Sequence, residues 1–163
     1  MIFVTTGTQA PFDRLIQMVD EMAPEIEGHE VIAQAFKGTY IAKHIQVLDF
    51  LEPKKFKELF DNADLIISHA GMGTVISALT TGKTLIIVPR NAKLGEHRND
   101  HQLATARKLD ELNYVHVAFD SGTLVKLTKR LLNEDNSGNP PKVAEFASGR
   151  LISSLRKYIH DGA

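Results

Sequence analysis

The chain has 163 residues, 43% apolar and 24% charged, with a formal net charge of −1; this is the profile of one ordinary globular domain and gives no generalised surface for nucleic acid. It has no cysteine, which excludes disulfides, thiol nucleophiles and thiolate metal sites and is compatible with a reducing compartment. The start, MIFVTTGTQ, lacks the basic and apolar regions of a secretory signal, and no run approaches the ~18 apolar residues of a membrane span, so work at a membrane calls for another component to hold the chain there.

Ile2 to Val4 is a short apolar run, read as a first strand, and Thr5-Thr6-Gly7-Thr8 follows as a turn. Pro11 suits the first turn of a helix on which Phe12, Leu15, Ile16 and Val19 recur at helical spacing, closed by Pro24 and Gly28. Val31 to Phe36 and Ile45 to Phe50 are the second and third strands. Pro53 opens a helix with Phe56, Leu59 and Phe60 on one face. After a central unit treated below, a polar loop runs from Arg90 to Arg98. A helix follows from about Asn99 to Leu112, with Leu103, Ala106 and Leu109 inward. Val115 to Phe119 is a short strand, and Ser121 is an N-cap candidate for a helix through Leu132. Asn133 to Pro141 reads as a loop, and residues 142–163 as a C-terminal segment with an amphipathic helix over Lys142 to Ile159. Strands alternating with helices predict an α/β fold: a Rossmann-like parallel sheet of about six strands flanked by helices, in one domain whose core is residues 1–132.

The central unit is Ala63 to Pro89. Leu65-Ile66-Ile67 has the continuous apolar character of a strand buried on both faces. Ser68-His69-Ala70-Gly71-Met72-Gly73 is a turn, and Thr74 to Thr81 a helix with Val75, Ile76 and Leu79 on one side. Gly82 stops the helix and Thr84 to Val88 is the next strand. A glycine turn opening a helix at the carboxyl end of a parallel strand is a place for an anion. Gly71 and Gly73 would let a diphosphate come close to backbone amides. The same pattern also serves as a tight turn with no ligand.

ISHAGMGT, followed after one helix by GKTLIIVPR and then by EHRNDHQ, resembles the C-terminal, donor-binding domain of family 28 glycosyltransferases. The resemblance spans about Ile2 to Leu132. It is strongest to small single-domain members: the catalytic subunit of the dolichyl-diphosphate GlcNAc transferase and the PssE-type subunits of capsule and exopolysaccharide synthesis. It implies one half of a GT-B architecture and a hexosyltransferase taking a UDP-sugar as substrate, with no metal or other cofactor. It also implies a membrane-associated partner that supplies the acceptor-side domain and a polyprenyl-diphosphate-linked sugar. The chain would be cytoplasmic and recruited to the inner face of the plasma membrane. The alternative is a non-catalytic accessory subunit.

Candidate site residues follow from residue chemistry and this resemblance together. The VTTGT turn has only Gly7 of a GxGxxG pattern, and Ala35-Phe36-Lys37 lacks the acidic residue that follows the second strand in dinucleotide sites, so NAD and FAD are disfavoured. In the resembled family this turn (Thr6, Gly7, Thr8) lines the cleft near the donor diphosphate, as do the amides of Gly71, Met72, Gly73 and Thr74. His69 is either a hydrogen-bonded structural histidine or, protonated, a stabiliser of the leaving diphosphate and the one tentative catalytic group. Backbone at Leu51 would read the uracil edge. Glu96, His97, Asp100, His101 and Gln102 would surround the donor sugar, with Gln102 bonding its hydroxyls. His97 and His101 lack the HExxH order of a zinc site. Arg90 and Arg98 are either carboxylate or phosphate ligands or solvated surface charges. Ser77 departs from the family, whose glutamate there grips the ribose; a serine cannot make a bidentate carboxylate contact.

Overall fold

The computed structural model describes residues 1–133, so the expected loop beyond Asn133 and the helix over 142–159 lie outside the described residues. Among the described residues, six strands form one parallel sheet: β1 (Ile2–Thr5), β2 (Val31–Gln34), β3 (Gln46–Leu48), β4 (Leu65–His69), β5 (Leu85–Val88) and β6 (His116–Val117). Their spatial order is β3-β2-β1-β4-β5-β6 and every neighbouring pair is parallel. The helices are α1 (Asp13–Met22), α2 (Pro53–Asn62), α3 (Met72–Thr81), α4 (His101–Glu111) and α5 (Ser121–Asn133).

The sheet divides the core in two because side chains alternate along each strand. Ile2, Val4, Leu65, Ile67, Ile86 and Val88 face Leu15, Val19 and Met22 of α1 and Leu124 of α5. Phe3, Ile66, Leu85 and Ile87 face Leu59 and Phe60 of α2, Val75, Ala78 and Leu79 of α3 and Ala106 of α4. Covering on both sides is why the central strands read as unbroken apolar runs. The outer strands are shorter than expected, β3 losing Ile45, Asp49 and Phe50, and β6 losing Val115, Ala118 and Phe119. Edge strands are paired on one side only, so their ladders have no second neighbour to extend them.

Several local expectations are corrected. Ser68 and His69 belong to β4, and α3 begins at Met72, not Thr74. Ile76 is 53% exposed and Ala78 takes its place in the core, because consecutive helical residues face different ways. Pro11 precedes the N-cap residue Phe12 of α1, and α4 opens at His101. The cap of α5 is Asp120, which accepts the Thr123 amide at 2.8 Å and the Thr123 hydroxyl at 2.8 Å; Ser121 is already the first helical residue. Gly82 does end α3, in the left-handed conformation (φ 68°, ψ 33°).

No helix joins β2 to β3. Asp20, buried on α1, organises that connection by accepting the amides of Lys43 (3.0 Å), His44 (2.7 Å) and Ile45 (3.2 Å) and the Tyr40 hydroxyl (2.9 Å). Burial alone would raise its carboxyl; these donors outweigh that and hold it below the usual carboxylate range. What matters for function is the centre of the sheet. β1 and β4 are neighbours, yet α1 leaves β1 toward one core and α3 leaves β4 toward the other. A crevice therefore opens at their carboxyl ends, the position where open parallel sheets bind ligands.

Candidate functional site

The crevice holds an open pocket of about 430 Å³, within the range of small-molecule sites. The loop after β1 (residues 6–10) forms one wall, and Gly95 to Arg98 with Gln102 forms the other; His69 and Arg90 close the floor. Three polar clusters from separate stretches of sequence thus meet at the carboxyl end of the sheet.

His69 sits between the two glycine turns. A Cβ on Gly7 would lie 2.7 Å from its Cε1, and one on Gly71 would lie 2.2 Å from its Nε2. Both glycines are therefore required by the imidazole, and Gly7 also by its backbone (φ +76°). Of the two readings left open for His69, a structural ring or a protonated one, its surroundings favour the uncharged ring. Burial first, then the nearby Arg90 charge, lower its pKa from 6.5 to about 4, opposed by a weaker contact to the Thr5 backbone. Its Nδ1 is buried and makes no hydrogen bond of normal geometry. At neutral pH the ring is an uncharged donor and acceptor.

Arg90 is not the solvated surface charge that was one of its two readings. It is 3% exposed, and its guanidinium donates to the carbonyls of Thr6 (3.0 Å), Ala10 (2.8 Å), Pro11 and Glu96 (3.3 Å) while lying 4.5 Å over the Phe12 ring. It braces both walls and has no fork left for a phosphate. The Thr6 hydroxyl is also engaged internally, accepting the Phe36 amide at 3.1 Å and donating to the Gly7 carbonyl. The Glu96 carboxylate is held by Arg14, through Nε at 2.6 Å and Nη2 at 2.8 Å, and accepts the Asn91 amide at 2.8 Å. Sequence reasoning missed Arg14: it looks like an ordinary polar position of α1, and its partner is 82 residues away.

Gln102 is 9% exposed and lines the pocket. Its Oε1 accepts the Arg90 amide at 3.2 Å, which leaves the Nε2 amino group as a donor for a ligand oxygen. Arg98, His97, Thr8 and Gln9 are exposed at the rim. Asp100 and His101 do not line the pocket; Asp100 accepts the Ala92 amide at 3.1 Å from outside the wall. Leu51 packs against the α2 core near the β3 edge.

Beyond His69 lies the N-terminus of α3. The Gly71 amide is taken by the His69 carbonyl at 2.8 Å, so it is not a free donor. The first helical bond runs from the Val75 amide to the Gly71 carbonyl, so the amides of Met72, Gly73 and Thr74 precede the helical ladder and point out of its end. Gly73 faces open space, with nothing within 4 Å of an added Cβ. Ser77 is exposed one turn further on. This end of α3 suits an anion. Among the described residues no three or more His, Asp or Glu side chains group to hold a metal ion, and no helix is long and apolar enough to cross a membrane.

The model of the glycosyltransferase family 28 C-terminal domain matches residues 1–154. The chain is 36% identical over 118 residues to the human "UDP-N-acetylglucosamine transferase subunit ALG13", covering 66% of this chain and 10% of that protein; it thus spans about a tenth of that relative's length. Among solved structures, MurG of Acinetobacter baumannii superposes with a TM-score of 0.62 at 22% identity, over 80% of this chain and 41% of that one. An NMR structure of ALG13 superposes with a TM-score of 0.57 at 22% identity, over 94% of this chain and 93% of that one. These two likenesses establish the Rossmann-like half of a GT-B fold.

Proposed function

Because the chain belongs to the glycosyltransferase family 28 C-terminal domain family, we propose that it is the donor-binding subunit of a split, inverting GT-B glycosyltransferase. It would take a UDP-sugar and transfer the sugar to a polyprenyl-diphosphate-linked acceptor in exopolysaccharide or capsule assembly, at the cytoplasmic face of the membrane. The observation that carries this reading is the juxtaposition, at the β1/β4 crevice, of the amides of Met72–Thr74 with a polar pocket into which Gln102 directs a free amino group. The amides and the α3 dipole would receive the diphosphate without a metal, and the pocket would hold the sugar. Thr8 and Arg98 at the rim, and backbone near Leu51, are the further contacts proposed.

The reaction is a single displacement. An acceptor hydroxyl oxygen forms the new bond to the anomeric carbon as the bond to the UDP oxygen breaks on the opposite face. UDP leaves with the electron pair, and the hydroxyl proton passes to a base. Neutral His69, wedged between two turns, contributes a hydrogen bond rather than a charge. The base and the acceptor site would come from a membrane-associated partner, since the described residues form one Rossmann-like unit and this reaction runs between two. Exposed Ser77, in place of a ribose-gripping carboxylate, favours a second reading, a non-catalytic accessory subunit.

Titration calorimetry of the chain with UDP, UDP-glucose, UDP-galactose, UDP-glucuronate and UDP-GlcNAc separates the two. Selective binding of one UDP-sugar is expected; silence with all of them, partner present, leaves the accessory role. Radiolabelled transfer to lipid acceptor should need both chain and partner membranes. Robust transfer by the chain alone would sink the split-enzyme reading.

A further inference from the structure

The pocket wall over residues 91–100 has one short 3₁₀ turn, Ala92–Leu94, and otherwise no helix or strand. Yet His97 and Arg98 from this segment, and Gln102 just after it as the second residue of α4, all line the pocket. A loop of this kind keeps a fixed geometry only if groups outside it tie it down. Arg90 supplies one tie, through the Glu96 carbonyl. The stronger tie comes from α1. Arg14 places Nε 2.6 Å from Glu96 Oε1 and Nη2 2.8 Å from Oε2, a two-bond fork that fixes direction as well as distance. The same Nη2 donates to the Pro89 carbonyl at 2.9 Å, where the loop leaves β5. Glu96 in turn accepts the Asn91 amide, closing the loop on itself. Both side chains are largely shielded, at 25% and 11% exposure, so solvent screens the pair only in part.

We infer that Arg14 is a positioning residue for the sugar side of the pocket, an inference that rests on the donor-site reading above. Arg14 does not line the pocket; it acts through Glu96, which carries the loop bearing His97 and Arg98 and sets the approach to Gln102. The α3 end of the crevice is held by none of these bonds. Loss of Arg14 should therefore loosen recognition of the sugar and leave recognition of the diphosphate nearly intact.

The test compares wild type, Arg14→Ala and Arg14→Lys by calorimetry with UDP and with whichever of UDP-glucose, UDP-galactose, UDP-glucuronate and UDP-GlcNAc the wild type binds tightest. Arg14→Ala should weaken the UDP-sugar by roughly tenfold, short of the ~10²-fold that a misplacement of about 1 Å can cost a reaction, and UDP by much less. Arg14→Lys keeps the charge without the fork, should lie between, and carries the test if the alanine variant fails to fold. In ligand-free Arg14→Lys, amide resonances of Gly95 to Gln102 should shift while those of Met72 to Thr74 stay. A variant that loses stability but keeps the UDP-sugar to UDP affinity ratio overturns the inference, and so does equal weakening of both ligands. No binding of any UDP-sugar by the wild type fells the donor-site reading, and this inference with it.

Discussion

The two sides of the crevice are built by opposite means. On the β1 and β5 side, side chains hold side chains and loops. Arg90 gathers four carbonyls, Arg14 forks onto Glu96, and Gln102 is pinned by a backbone amide. On the β4 side the chain turns through Ala70-Gly71, offers the first amides of α3, and commits almost no polar side chain. His69 is the boundary post between them, fixed by the absence of side chains on Gly7 and Gly71. One side is a rigid, partly satisfied polar network suited to reading the shape of an uncharged group. The other is bare backbone at a helix end, suited to charge. Charged residues near a pocket are thus a poor guide to what the pocket binds, since here the most buried of them is structural.

The sharpest way to break that contrast is Arg90→Ala. It leaves the Thr6 carbonyl without its donor in a buried setting and those of Ala10 and Pro11 in part-buried ones, at about 1–3 kcal/mol for a buried group and less for the others, so a total of about 3 kcal/mol is expected. Urea unfolding measures it. If Arg90 were instead a phosphate ligand on a tolerant surface, the variant would keep its stability and lose only UDP.

His69 gives a pH signature of similar size. Its folded pKa is about 4 against an ordinary 6.5, so the unfolded chain takes up the proton first. Above pH 6.5 both states are neutral and the contribution is complete. As pH falls from 6.5 to about 4, the unfolded state binds more protons and stability declines, by up to roughly 3 kcal/mol. Below that window both states are protonated. His69→Gln should remove this slope; equal slopes in variant and wild type would mean that the ring titrates normally in the fold.

The glycines sharpen the comparison further. Gly71→Ala drives a methyl into the His69 ring and should cost about 1–3 kcal/mol, a cost relieved in a His69→Ala background. Gly73→Val meets open space, so its circular dichroism should match wild type while UDP binds more weakly. Unchanged UDP affinity would remove the α3 end from the phosphate site.

These contrasts also mark what the sequence could and could not reveal. Backbone devices are legible. Apolar runs gave the buried strands, Gly82 the end of α3, and the strand–glycine–helix pattern the position of the crevice. Each is a local matter of sterics and periodicity. Which polar residues are already engaged is not legible, because Arg90 meets Thr6 across 84 positions and Arg14 meets Glu96 across 82. Nothing in EHRNDHQ distinguishes Glu96, bound from behind, from Gln102, aimed inward. Asp20 was equally silent, an acid on a helix whose partners belong to a loop 20 to 25 residues on.

The smallest expected effect tests the finest part of the contrast. Gln102 has its two polar ends divided between the fold and the cavity. Its Oε1 is fixed by the Arg90 amide, and Arg90 is itself clamped, so the carboxamide cannot flip without losing that bond. Its Nε2 therefore presents a donor, which suits a sugar hydroxyl or carbonyl oxygen and discriminates against a ligand that offers only a donor there. Gln102→Ala removes this donor and leaves the Arg90 amide unpaired at the pocket floor. The first loss concerns ligand; the second lowers stability in the free protein as well. Calorimetry with UDP and the preferred UDP-sugar separates them, because the stability loss is common to both ligands. The sugar complex should weaken by about 0.5–1.5 kcal/mol beyond any change for UDP. Equal changes for the two ligands would take Gln102 out of the sugar pocket and leave it as one more brace of the wall that Arg14 and Arg90 hold.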